Sequence, residues 1–149
     1  MSDSICYLNG EWGPLAEAKV SVLDRGFIFG DGIYEVVPVF SGTAFRLAEH
    51  LLRLERSLAA VSMQNPLSPA QWTVLVDKLI ELNQGGEQSI YIQLTRGAAP
   101  RNHALMHSVT PTVFLMSSTT NSVLESDPIT AITMEDIRWQ RCDIKTTSL

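Results

Sequence analysis

Cysteine is almost missing from this chain: Cys6 and Cys142 are the only two in 149 residues. That excludes a disulfide framework and a Cys-rich zinc site, both of which need more ligands, and it casts the pair as reduced, structural thiols. His50 and His107 have no partners at metal-ligand spacing, so both read as structural or surface residues and no metal site is expected. No apolar run approaches the roughly 20 residues of a membrane helix. The opening Met1-Ser2-Asp3-Ser4 lacks the basic and apolar regions of a secretory signal, so a cytoplasmic location is expected. Positive charge is scarce as well. Eleven Lys and Arg against 16 Asp and Glu leave a net charge of −5, which argues against general binding to nucleic acid or anionic membrane and favours a small-molecule partner.

What remains is the composition of a soluble globular domain, 45% hydrophobic and 18% charged. A chain of this length can bury about 68–70% of its unfolded surface, enough for a real core. Ile5 to Leu8, Asn9-Gly10 and Glu11-Trp12 predict an opening hairpin. The β-branched and aromatic run Ile33 to Phe40, then Ser41-Gly42 and Thr43 to Arg46, predicts a second one. Pro38 has no donor and should face an edge, a bulge or a gap in the ladder.

Leu47, Leu51, Leu54, Leu58 and Val61 recur at helical spacing, with Arg53 and Arg56 off the stripe. A second helix is predicted from Ser68, with Pro69 at its first position and Gln71 completing a capping box. Trp72, Leu75, Val76, Leu79 and Leu82 form its buried face, and Gly85-Gly86 ends it. Strands are expected over Ser89 to Thr95, Thr112 to Ser117 and Ile129 to Thr133, with Ile90, Ile92 and Leu94 sharing one face. The fold class is therefore α+β, a mainly antiparallel sheet with two helices packed on it. The polar stretch Ser117 to Ser122 reads as a linker. It divides a small domain, 1–119, from 120–149, the linker and the first strands of a second, truncated domain.

Three segments carry candidate chemistry: Asp24-Arg25-Gly26-Phe27-Ile28-Phe29-Gly30-Asp31-Gly32-Ile33-Tyr34-Glu35, Thr95-Arg96-Gly97-Ala98-Ala99-Pro100-Arg101-Asn102-His103, and the terminal Cys142-Asp143-Ile144-Lys145. The first is not a nucleotide cradle. Its glycines lack the G-x-G-x-x-G spacing and read as backbone turns. Taken singly, Lys145 reads as a solvated charge, Arg53 as a surface charge on a helix, Arg101 and His103 as a solvated loop, and Glu35 as either a surface strand residue or a carboxylate behind a site.

Together the three segments resemble the D-amino-acid aminotransferases, fold-type IV enzymes that use pyridoxal 5′-phosphate. The resemblance covers almost the whole chain, which looks like the first half of such an enzyme. It implies amino-group exchange between D-amino acids such as D-alanine and 2-oxo acids. Lys145 would then be the catalytic lysine, since an amine can hold the cofactor aldehyde as a Schiff base and also carry a proton between two carbons. Arg53, in His50-Leu51-Leu52-Arg53-Leu54, would bind the cofactor phosphate, for which a planar, permanently charged fork is suited. Arg101 and His103 would enter the active site of a neighbouring subunit and, with a tyrosine matching Tyr34, hold the substrate carboxylate. A homodimer with shared sites follows from that role. The Pro-Arg-x-His arrangement separates this family from branched-chain aminotransferases and aminodeoxychorismate lyases, which remain the enzymatic alternatives. A non-catalytic dimerisation module is the alternative of another class. The truncated form itself is expected to be inactive.

Overall fold

In the computed structural model, which describes residues 4–104, 109–120, 130–135 and 141–148, the chain opens with the expected hairpin. Asn9 and Gly10 both take positive φ (51° and 103°), matching the twist of a tight two-residue turn. They set Ile5–Leu8 (β1) against Glu11–Pro14 (β2), followed by a 3₁₀ turn over Leu15–Glu17. After a short helix, Arg25–Phe29 (α1), come Gly32–Phe40 (β3) and Thr43–Ala44 (β4), the helices Leu47–Ala60 (α2) and Pro69–Leu82 (α3), and the strands Gln88–Thr95 (β5) and Thr112–Thr119 (β6). The six strands form one antiparallel sheet in the order β2-β1-β6-β5-β3-β4.

Alternation along the strands decides which face is covered. Ile33, Glu35, Val37 and Val39 of β3 and Ile90, Ile92 and Leu94 of β5 are fully buried, under α2 over β3 and α3 over β6 and β1. Leu51, Leu54 and Leu58 of α2 and Trp72, Val76 and Leu79 of α3 complete the core. At roughly 25 cal/mol per Å² of apolar area, each such side chain contributes about 1.5–3 kcal/mol of burial. Both ends of α3 are tied. Ser68 and Gln71 form the expected capping box, while Asn83 exchanges hydrogen bonds with the Ile5 backbone, and the buried Gln88 amide donates to the Ile80 and Gly85 carbonyls. Pro38 meets its expected gap. Its carbonyl accepts from Phe45 N (2.8 Å) on the β4 side, so its donorless nitrogen faces the place where β4 has already ended.

Several expectations shift. Ile80, not Leu82, completes the buried face of α3; Leu82 is exposed because the helix's apolar residues span so wide an arc that spacing alone leaves the centre of the face open. Strand β6 runs through Thr119, two residues past its expected end at Ser117, since Ser118 and Thr119 pair with Ser89 and Gln88. The strand expected at Ile129 to Thr133 does not form over 130–133, and Ile132 is 86% exposed. A β-rich composition needs a neighbouring strand, and none of the described strands runs beside this segment. Residue 129, His107 and the last two residues of the expected linker lie outside the described residues. Of the two cysteines, neither of them in a disulfide, Cys6 is buried and Cys142 is exposed.

Helix α1 has no counterpart among the sequence-based expectations. Five residues are too few to show a period, yet its ends carry legible signals: the Asp24 carboxylate accepts from Gly26 N (2.8 Å), and Gly30 closes it in the left-handed conformation (φ 64°).

Candidate active site

Ile144 is buried, and the terminal segment docks along the start of β3. Tyr34 N donates to Lys145 O (3.0 Å), Lys145 N donates to Ser57 Oγ on α2 (3.3 Å), and Thr146 pairs with Ile33. The hydroxyls of Thr146, Thr147 and Ser148 then donate to the carbonyls of Gly32 and Gly30 at 2.8–2.9 Å. Close approach of neighbouring atoms, from β5 as well as from the terminal segment, explains these glycines better than turn formation does. Only Gly30 needs positive φ; a Cβ on Gly32 would lie 2.9 Å from Leu94 O and 3.1 Å from Thr147 Oγ1, and one on Gly26 would meet Thr95 Cγ2 at 2.3 Å. The docking brings Lys145 Nζ to 4.0 Å from the centroid of the Tyr34 ring, within cation–π range. Tyr34 in turn stacks on Tyr91 (5.7 Å, 28°), whose phenol is pushed up in pKa by burial and by Tyr34, and donates to Gln93.

On the other flank of β3, Glu35 sits in the core row with no exposed surface, which removes its surface-strand reading. A buried carboxylate must be paired. Arg53 supplies two hydrogen bonds of 2.6 Å through Nε and Nη2, and His50 Nδ1 lies 2.9 Å from the second carboxylate oxygen. His50, Arg53 and Ser57 follow one another at helical spacing on α2, so one flank of that helix faces both Glu35 and Lys145. Hydrogen bonding to Glu35, against the opposing effect of burial, holds the Arg53 guanidinium even more firmly protonated than usual. Its Nη1 makes no hydrogen bond to a described residue, and the side chain is 42% exposed.

Arg101 and His103 gather elsewhere. They approach the Phe29 ring, with the Arg101 guanidinium carbon 5.4 Å and the His103 ring centre 5.5 Å from its centroid, and neither is paired with Tyr34 or Lys145. Their loop is stitched to α1 by Arg25 N to Gly97 O (2.9 Å), an Asp24–Ala98 bridge and Arg25 Nη1 to Asn102 O (2.7 Å). Asp31 accepts from both Arg25 (2.8 Å) and Arg96 (2.9 Å), and Arg96 donates to the Val61 and Ser62 carbonyls at the end of α2. Burial works to raise the Asp31 pKa, but the hydrogen bonds and charges of Arg96 and Arg25 outweigh it and hold the carboxyl below the usual range.

Residues 32–149 match the class IV amino-transferase family. The chain belongs to that family. Among its relatives, the D-alanine aminotransferases of Staphylococcus aureus (strain N315) and Bacillus licheniformis are 40% and 36% identical over 146 and 143 residues. These alignments take in 96% and 95% of this chain and 52% and 50% of theirs, so it spans about half the length of the curated relatives it matches. The fold is that of branched-chain amino acid aminotransferases. The enzyme of Thermoproteus uzoniensis, solved with norvaline, and that of Escherichia coli give TM-scores of 0.71 and 0.74, at 21% and 18% identity, over 80% of this chain and 42% of theirs.

For a class IV aminotransferase the residues fit the implied cofactor. Pyridoxal phosphate calls for an amine, a permanent cation for its phosphate and an aromatic surround. Lys145, Arg53 and Tyr34 are of these kinds: Lys145 docks on β3 with its Nζ over Tyr34, Arg53 pairs with the next strand residue, Glu35, and Lys145 forms no ion pair with a described residue. Two residues went unnoticed in the sequence. Phe29 gave no signal beyond hydrophobicity. Ser57 lies one helical turn from Arg53 and marks which flank faces the site.

Proposed function

We propose that this chain is the N-terminal part of a pyridoxal-phosphate-dependent D-amino-acid aminotransferase that moves amino groups between D-amino acids, D-alanine among them, and 2-oxo acids. The observation that carries the reading is the seating of Lys145 Nζ on Tyr34, the strand residue next to the buried Glu35 with which Arg53 is paired. The 40% identity to D-alanine aminotransferases supports the substrate class.

When bound, pyridoxal phosphate supplies an aldehyde for attachment to an amine and a ring that withdraws electron density from the substrate carbon. Lys145 Nζ is the attachment point and moves the proton at the substrate α-carbon. Arg53 binds the phosphate through the guanidinium edge that Glu35 leaves open, and Glu35 fixes the direction of that edge. Tyr34 and Tyr91 wall the site and keep water from the lysine. Arg101 and His103 hold the substrate carboxylate in the site of a second copy of the chain, a role consistent with their distance from Tyr34 within their own. The active form is a homodimer in the cytoplasm. Its small domain comprises 1–119, and 120–149 leads into the cofactor domain.

The test is transamination by the full-length enzyme between D-alanine and 2-oxoglutarate, with variants Tyr34→Ala and Arg101→Ala assayed alone and mixed. Each single change is expected to lower kcat/KM by at least about tenfold, and mixing to restore part of the activity by forming one intact site per heterodimer. A harmless Arg101→Ala rejects the carboxylate role. No recovery despite verified subunit exchange rejects the shared site.

A further inference from the structure

Phe29 has a role that neither the core nor the cofactor explains. It ends α1 half-buried, and three groups converge on its ring: the guanidinium carbon of Arg25 at 4.7 Å, that of Arg101 at 5.4 Å, and the imidazole of His103 at 5.5 Å with a 47° tilt. Two guanidiniums around one ring would ordinarily repel each other. Here the charge of Arg25 is met by Asp31, while Arg101 is exposed and pairs with no described carboxylate. The ring can therefore orient the Arg101 side chain while its charge stays available to an anion.

The backbone of the loop is held by the same residues. Arg25, 5% exposed, donates to the carbonyl of Asn102, the residue between Arg101 and His103, and Gly97 at the loop's entrance has no room for a Cβ, which would lie 2.0 Å from Thr110 O. One short helix thus controls both the path of the loop and the direction of its two functional side chains.

We propose that Phe29, steadied by Arg25, is the positioning residue that aims Arg101 and His103 at the substrate carboxylate, and so sets affinity for the amino acid without touching it. This rests on the carboxylate role given above to Arg101 and His103. The ring, with its negative face, is what the position requires, so tyrosine should serve and leucine should not.

Full-length enzyme carrying Phe29→Leu, Phe29→Tyr, Arg101→Ala/His103→Ala, and the latter pair combined with Phe29→Leu is compared with its parent. Phe29→Leu is expected to raise KM for D-alanine by about tenfold with kcat changed by less than about twofold, and Phe29→Tyr to stay within about twofold of the parent. Cofactor absorption should be unchanged in all of them. In the Arg101→Ala/His103→Ala background Phe29→Leu should cost nothing further, because a residue that acts through others has no effect once they are gone. An additive loss, or a kcat effect of equal size, would assign Phe29 to folding and overturn the proposal. A damaging Arg101→Ala/His103→Ala change beside a harmless Phe29→Leu would overturn it alone. A harmless Arg101→Ala/His103→Ala change would remove the carboxylate reading and this proposal together.

Discussion

Replacing Arg53 with alanine tests fold and site at once, because one guanidinium serves both. Glu35 has no exposed surface and receives three hydrogen-bond contacts, two from Arg53 at 2.6 Å and one from His50 at 2.9 Å. Arg53→Ala removes two of the three and leaves a buried carboxylate leaning on an imidazole. Breaking a fully buried ion pair costs about 3–5 kcal/mol. Water reaches this pair from the Arg53 side, 42% exposed, so the expected loss is nearer about 2–3 kcal/mol. In a chain of this size that corresponds to a fall in Tm of about 5–10 °C. Urea unfolding of the 149-residue chain measures it, and Arg53→Ala/Glu35→Leu provides the control. With the stranded charge gone as well, most of the stability should return. In the full-length enzyme the same Arg53→Ala change should weaken cofactor binding by about 10–150-fold, the worth of a charge-assisted contact. Unfolding free energy within about 0.5 kcal/mol of the parent would refute the buried pair as a stabilising element. An unchanged cofactor dissociation constant would leave Arg53 as the partner of Glu35 and nothing more.

Lys145→Ala should lower turnover of D-alanine by at least about 10²–10⁴-fold and abolish the visible absorption of lysine-bound cofactor; near-normal turnover would place the chemistry on another residue. Asp31→Asn should destabilise the chain near neutral pH by about 1.5–3 kcal/mol, with Arg25 and Arg96 losing their shared carboxylate. The Asp31 pKa is depressed in the folded state, so its contribution is fully present above the unfolded value of about 3.9 and lost as pH falls through the lower folded value. The variant should accordingly show a shallower loss of stability with acid below about pH 4, and an identical acid limb would sink the assignment. Gly32→Ala should cost about 1–3 kcal/mol, since its Cβ would press on Leu94 O and Thr147 Oγ1; Gly13→Ala, with nothing within 4 Å, should stay within about 0.5 kcal/mol. Equal effects at the two glycines would mean that the space beside Gly32 is not closed by β5 and the terminal segment.

By itself the sequence determined much of what depends on near neighbours, the short helix α1 excepted. Asn9-Gly10 forced a hairpin because both residues tolerate positive φ, the Ser68 to Gln71 capping box began α3, and the two-residue and helical periods separated strands from helices. Lys145, Arg53, Tyr34, Arg101 and His103 were singled out through the resemblance of their segments to the D-amino-acid aminotransferases, which did not show how this chain arranges them. Only the tertiary structure decided that Glu35 lies inside rather than outside, for a strand's two faces are equivalent until a helix covers one of them. It alone showed Lys145 drawn onto β3 through Gly30 and Gly32, across more than a hundred residues of chain. It also separated Arg101 and His103 from Tyr34 and gathered them on Phe29, a residue whose sequence context carries no hint of this. The physical reason is common to all three. Burial, pairing and aim are properties of what packs alongside a residue, and a linear sequence records a residue's own chemistry without recording its neighbours in space.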